Sequence, residues 1–425
     1  MSSVQRSPMS ACLWLIAAIA GSPACAATVV YPTGNFPADV YSVQAAINQG
    51  GTVLLKATNS GGTVQRFNFG PAVAGSGFVF QTNPNVTILG ETVDGQSTTI
   101  SGGNVPIRVF GSGRFTLQGV HLDGPRSVGV LILGTSHTEI VGNVISDVIG
   151  SPIRGVTFGR GILASGDAVT GDLLIVNNVI DRVHALVGYG ISVSFHRAAT
   201  TISGNRIFGI NFNGILLGGT IRPATISDNL VVPGAAQDPD ITAGNGILFG
   251  HSRGGPAWIT KNTVVCENPM ADGIAIVGGG AAPFPANDSV IEKNEVTMAG
   301  SLFGGISLYD QVKNNLVRAN KVSGDGAFAL LVGIFIPGSI ADSNSFVGNN
   351  ISHFNSDVAD VFLDVGSMNT IFKGHSGTVV DLGTGNWVSG FTKKGLDHDL
   401  GQRMRQAQAV RHQAMDIDPA EPVIF

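Results

Sequence analysis

Tyrosine is scarce in this chain, four residues in 425, and two of the four flank a recurrent Gly-Ile phrase. Tyr189 immediately precedes one such phrase and Tyr309-Asp310 closes another; the same positions after other Gly-Ile phrases hold Asp167, His196-Arg197, Arg222, and His251 with Arg253. These side chains suit an anionic polysaccharide. Arg197, Arg222 and Arg253 would pair with uronate carboxylates and stabilise the charge that develops when the proton on carbon 5 is removed. Tyr189, His196 and His251 would supply base and acid, histidine having the natural pKa for both roles. Asp167, Tyr309 and Asp310 would contact the substrate around them. Elimination after proton removal makes a lyase, and reprotonation from the other face makes an epimerase; both need the same groups. Glycoside hydrolysis instead needs two carboxyl groups ~5–10 Å apart, for which Asp167, Asp272 and Asp310 are the candidates. A non-catalytic carbohydrate-binding scaffold is equally compatible with polar residues that end strands simply because the chain there returns to water.

What would bring such distant residues together is a repeat. An apolar residue, two others, an asparagine, one more and then Ile or Val recur eight times, at Asn143, Asn178, Asn205, Asn229, Asn262, Asn294, Asn320 and Asn349. A period that drifts while its phrase persists describes a solenoid, one coil stacked on the next with insertions in loops. Each coil also carries Gly-Ile/Val-x-aliphatic, as in Gly190-Ile191-Ser192-Val193 and Gly214-Ile215-Leu216-Leu217, whose period of two is a strand signal. The asparagines read as structural: they tolerate a left-handed bend, bond their own main chain and, stacked ~4.8 Å apart, can form a ladder. Residues 86–90, 99–102 and 115–124 read as degenerate early coils.

The Asn phrase followed by a Gly-Ile strand resembles the right-handed parallel β-helix proteins of the pectate-lyase-like superfamily, over residues 39–390. Residues 369–386 resemble the last coil of such proteins. The resemblance implies an all-β, single-stranded right-handed parallel β-helix with an N-terminal helical cap; the superfamily holds lyases, hydrolases, epimerases and non-catalytic members. Residues 188–217 resemble the active coil of alginate C5-epimerases, which implies a catalytic role for Tyr189 and, by proximity, for His196. Ser192, Val193 and Ser194 stand where that family has Asp-Pro-His. Periplasmic β-helix proteins linked to copper-enzyme maturation share the repeat; seven methionines with no paired His or Met motif give a copper role little support.

The ends read separately. Residues 1–26 have the form of an export signal: Arg6, an apolar stretch from Ala11 to Ala20, and Ala24-Cys25-Ala26 as cleavage site, which places the mature chain in the periplasm or outside the cell. Residues 27–391 form the β-helix, and 392–425 a C-terminal helical extension with Leu396, Leu400, Met404, Ala407 and Val410 at helical spacing. Within the β-helix, Asp39–Gln49 reads as the capping helix, with Val43, Ala46 and Ile47 on one face. Charged residues are 12% of the chain with a net charge of −5, against a usual ~25%. No basic run points to nucleic acid, and nothing points to a membrane once the signal is removed. Cys266, left alone after signal removal, reads as a buried strand residue. No cofactor is expected; Asp357, Asp360 and Asp364 resemble a calcium cluster but read as turn carboxylates. The expected partner is an acidic polysaccharide, bound by a monomer.

Overall fold

A computed structural model describes residues 26–71, 77–110, 113–134, 137–153, 156–165, 171–195, 197–234, 244–250, 255–267, 271–279, 285–334, 336 and 338–395. The expected export signal, the expected C-terminal helix, and Asp167, His196, His251 and Arg253 lie outside these residues.

The described residues form stacked parallel coils. Strands that precede each asparagine, such as Leu173–Val176, Thr200–Ser203 and Ala224–Ser227, assemble a 14-stranded sheet. Its pairings are parallel, with Ile140, Ile175, Ile202, Ile226 and Ile259 in one register row. Strands that follow the asparagine stack likewise, aligning Ile145, Ile180, Ile207 and Val231. The Gly-Ile strands stack as a third ladder through Ile162, Ile191, Ile215, Ile247, Ile274 and Ile306. All these aliphatic residues are fully buried in one continuous core, so period-two alternation sends one side of every strand inward. The glycine of the Gly-Ile phrase is a packing requirement. A Cβ at Gly190 would stand 2.5 Å from the Gly214 carbonyl oxygen and 2.6 Å from an Ile207 methyl.

The asparagine ladder forms as expected, but by a different local geometry. The left-handed backbone belongs to the residue before each asparagine: Gly142, Asn177, Gly204, Asp228, Lys261, Lys293, Ala319 and Gly348 all have φ between 53° and 66°. That bend turns the next side chain inward, away from its own main chain and along the stack. The Asn178 amide donates to the Asn205 Oδ1 at 3.0 Å and to the Ile140 carbonyl at 2.8 Å, and its Oδ1 accepts from both the backbone and the side chain of Asn143 at 3.0 Å. The pattern repeats through Asn205, Asn229, Asn262, Asn294, Asn320 and Asn349. A second run, which the eightfold phrase does not contain, links Ser289, Asn315 and Asn344.

At the N-terminal end the helix spans Ala38–Gln49, and Val43, Ala46 and Ile47 enter the same core as the first strands. Asp39 ties it down: its buried carboxylate accepts from the Thr33 N–H and hydroxyl at 2.7 Å, the Gly34 N–H at 3.0 Å and the Asn68 N–H at 2.7 Å.

Asn205→Ala removes the acceptor for two Asn178 donors and the donors to Ile175 and Asn229. Each buried group left without a partner costs about 1–3 kcal/mol, so chemical denaturation should show a loss of at least about 3 kcal/mol. Thr201→Ala, on the outer side of the neighbouring strand, should stay within about 0.5 kcal/mol.

Candidate functional site

The outer side of the Gly-Ile ladder is where the chemistry-bearing residues gather. The residue just before each Gly-Ile phrase forms a row in register: Arg160 beside Tyr189, and Tyr189 beside Asn213. The row continues through side-chain bonds, with Asn245 donating to the Asn213 Oδ1 and the Asp272 N–H donating to the Asn245 Oδ1 at 3.1 Å. All five residues are at most 4% exposed. The Arg160 guanidinium carbon lies 5.1 Å from the centre of the Tyr189 ring, and Phe212 meets that ring edge-on at 5.3 Å. A second buried guanidinium, Arg108, lies 3.7 Å over Phe78 nearer the N-terminus, and burial holds it below the ordinary arginine value. Two buried arginines on a sheet face that also carries Leu131, Leu163 and Leu248 mark that face as chemically unusual.

The far end of the row is anchored. The buried Asp272 Oδ1 accepts from the Gly304 N–H at 3.0 Å, from the Ser307 hydroxyl and from the Tyr309 hydroxyl at 2.8 Å. Tyr309 is fully buried; Asp310, 1% exposed with φ 62°, accepts the Ile336 N–H at 2.8 Å. Tyr309 is therefore buried on the same outer face as Asp272, in an apolar cluster apart from the solenoid core, and the carboxylates of Asp272 and Asp310 each hold backbone. Asp360 accepts from the Thr378 N–H and hydroxyl, and Asp364 from the Ile334 and Val365 N–H groups. Among the described residues no group of three or more His, Cys, Asp or Glu side chains is placed to hold a metal ion. Cys266 is a buried strand residue, as expected.

The described members of the expected row divide into two places. Arg197 and Arg222 are exposed and leave neighbouring coils at one edge, since Ser194 and Gly218 are in register. Tyr189 sits five residues before Ser194, roughly 16 Å back along an extended strand. Tyr309, in register with Ser194 through Gly218, Gly250 and Val277, lies four strands along the stack, roughly 19 Å beyond Ser194 and so about 25 Å from Tyr189. Arg160, Asn213 and Asn245 escape a reading centred on the C-terminal side of each Gly-Ile phrase. The residue on its N-terminal side, Arg, Tyr, Asn, Asn and Asp in successive coils, is the signal that finds them.

Residues 52–231 match the family described as right handed beta helix region. The chain is a right-handed parallel β-helix. The Dettilon tailspike protein has this fold at a TM-score of 0.51 and 16% identity, over 85% of this chain and 68% of that one. The periplasmic alginate epimerase AlgG is similar at 0.45 and 11%, over 87% and 77%. The Azotobacter vinelandii mannuronan C-5 epimerase AlgE4 A-module is similar at 0.40 and 14%, over 84% and 95%. At these identities the likeness speaks to fold alone. No curated protein matches the sequence. No helix among the described residues is long and apolar enough to cross a membrane.

A separate charged cluster lies on the strands after the asparagines. Arg182 grips Asp147 through two bonds of 2.7 and 2.9 Å and also pairs with Asp181, while His184 reaches Asp147 at 3.1 Å. The Arg182 hydrogen bond holds the Asp147 carboxyl well below the usual carboxylate range; burial opposes it, and His184 adds to the lowering. A folded-state value below the unfolded one gives stabilisation that is fully present above the unfolded pKa of about 3.9 and is lost progressively as pH falls from there through the lower folded-state value. Arg182→Ala should therefore lower the melting temperature at pH 7, and its gap from the parent protein should narrow progressively as pH falls below about 4. A gap that persists unchanged at low pH would assign the effect to packing.

Proposed function

We propose that this protein is exported and acts on a uronate-containing polysaccharide as a lyase or C5-epimerase, by proton abstraction on the outer face of the Gly-Ile ladder. The observation that supports this most is the Arg160–Tyr189 contact on a buried sheet face. Tyr189 takes the proton from carbon 5 or returns it. Arg160 balances the carboxylate whose charge grows as that proton leaves, an interaction stronger in the transition state than in the ground state. His196 and His251 provide the complementary acid or base, and Arg197, Arg222 and Arg253 engage neighbouring carboxylates. Asp167 contacts substrate hydroxyls, and Tyr309 and Asp310 do so only if that end of the face opens. A rise of ~4.8 Å per coil is close to the length of one sugar unit, so a polymer lying along the solenoid axis would meet one coil per residue. The protein works as a monomer, since each coil carries its own share of the groove.

The non-catalytic reading has an observation in its favour: Tyr189 is 2% exposed, which suits a packing role. Incubation with alginate, pectate and other uronate polymers separates the two. Ultraviolet absorbance of an unsaturated product identifies a lyase, and deuterium uptake from solvent at carbon 5 an epimerase. Tyr189→Phe should then reduce turnover by at least about 100-fold with polymer binding retained. Binding of a uronate polymer with no turnover by the parent protein would overturn the enzymatic reading. Reducing ends without absorbance would point to hydrolysis.

A further inference from the structure

A cavity of about 440 Å³ opens on a different part of the solenoid, against the first coils. Its origin is local. Asp94-Gly95 supplies two consecutive residues with φ of 49° and 78°, the requirement of a tight hairpin turn, and Thr92–Val93 pairs antiparallel with Gln96–Ser97. This hairpin stands off the parallel stack and walls a space between itself and the strands Thr99–Ser101 and His121–Asp123. Polar groups converge there from separate segments: Gln65, Arg66, Gln96, Ser97, Thr99 and His121.

The chemistry of the lining is specific. The His121 Nε2 is 2.8 Å from the Ser146 hydroxyl, which lies 3.2 Å from Asp123 Oδ1, and Asp123 Oδ2 takes the Arg66 guanidinium at 2.8 Å. The Arg66 charge is thus balanced within the wall. Burial pushes His121 below its ordinary value; the nearby Asp123 and Asp147 raise it and Arg66 lowers it, the net direction being down. At neutral pH the imidazole is uncharged, and among amides and hydroxyls it presents donors and acceptors together. Among the described residues no Phe, Tyr or Trp side chain lines the space, and Val64 and Val144 give it a modest apolar side. The volume lies within the ~300–1,000 Å³ of small-ligand clefts. A ligand matching this pattern is compact, rich in hydroxyls and without a strong charge of its own.

We propose that this cavity is a binding site for a single neutral pyranose unit, recognised through its hydroxyl groups, distinct from the Arg160–Tyr189 face. It would hold a glycan by one residue whatever reaction occurs elsewhere on the solenoid. The inference does not depend on the uronate reading.

The test is titration of the full chain with glucose, galactose, mannose and glucuronate, followed by calorimetry and by protein NMR. At least one neutral sugar should bind saturably in the millimolar range. His121→Ala should weaken it about tenfold, the loss of one buried polar partner. Gln96→Trp, at an exposed hairpin position, should block the cavity with an unchanged melting temperature and so serves if His121→Ala fails to fold. Tyr189→Phe should leave the affinity unchanged. Absence of saturable binding by any of the three neutral sugars overturns the proposal. So does binding that survives Gln96→Trp, or a preference for glucuronate that Tyr189→Phe abolishes, which would place the ligand on the other face.

Discussion

The coils of this protein are held in place by buried side-chain amides that have no satisfactory set of partners within their own coil. An asparagine wholly removed from water must find acceptors for two N–H groups and donors for its oxygen, or it costs several kcal/mol. In this fold both needs are met chiefly by the coil before and the coil after. Stacking at strand separation follows from that demand, as does the alignment of the aliphatic rows to either side. The coils between successive asparagines differ in length from 24 to 35 residues, yet the rows stay in register because the surplus leaves through loops. A constraint at one atom type thereby sets where every outward side chain of the Gly-Ile ladder falls.

Much of this was legible in the sequence because it is periodic. The Asn phrase and the Gly-Ile phrase recur where the chain returns to the same corner, and they predict the parallel stack and the buried aliphatics. The expected helix forms, but a strand at Thr28–Val30 precedes it and pairs parallel with Gly51–Leu55. Single-position physics was harder to read. The left-handed residue proved to be the neighbour of each asparagine, where Lys261, Lys293 and Ala319 adopt φ of 53–57° although nothing in their side chains favours it. There the ladder overrides local preference. Asp39 opens the expected helix, but its four hydrogen bonds reach a preceding loop and a strand 29 residues on.

The candidate sites were legible only in part, because they are assembled across coils. Tyr189 stood out by rarity. Arg160 could be linked to it only by knowing that their strands are adjacent and in register. His121, on an early strand, is half-buried beside the hairpin residues Gly95, Gln96 and Ser97. The Asp94-Gly95 turn that makes the hairpin is a short-range signal, but the cavity it creates depends on where the next coil lies. Tyr309 and Asp310, conspicuous at a strand end, are buried there and hold Asp272 and Ile336. A polar residue at the end of a strand can thus be a fastening, and only its bonding distinguishes that from a contact surface.

The ladder also has a direction. From Asn143 to Asn349 each amide oxygen in the run accepts from the coil before it, and each forward N–H donates to the coil after it. The amide dipoles are therefore aligned head to tail inside an apolar, weakly screening core, as peptide dipoles are along an α-helix. The solenoid is electrically polar along its length, with its negative pole toward the first coils and its positive pole toward the last. A long anionic chain lying along the outside would experience its two ends differently, so the core itself distinguishes one orientation of such a chain from the reverse.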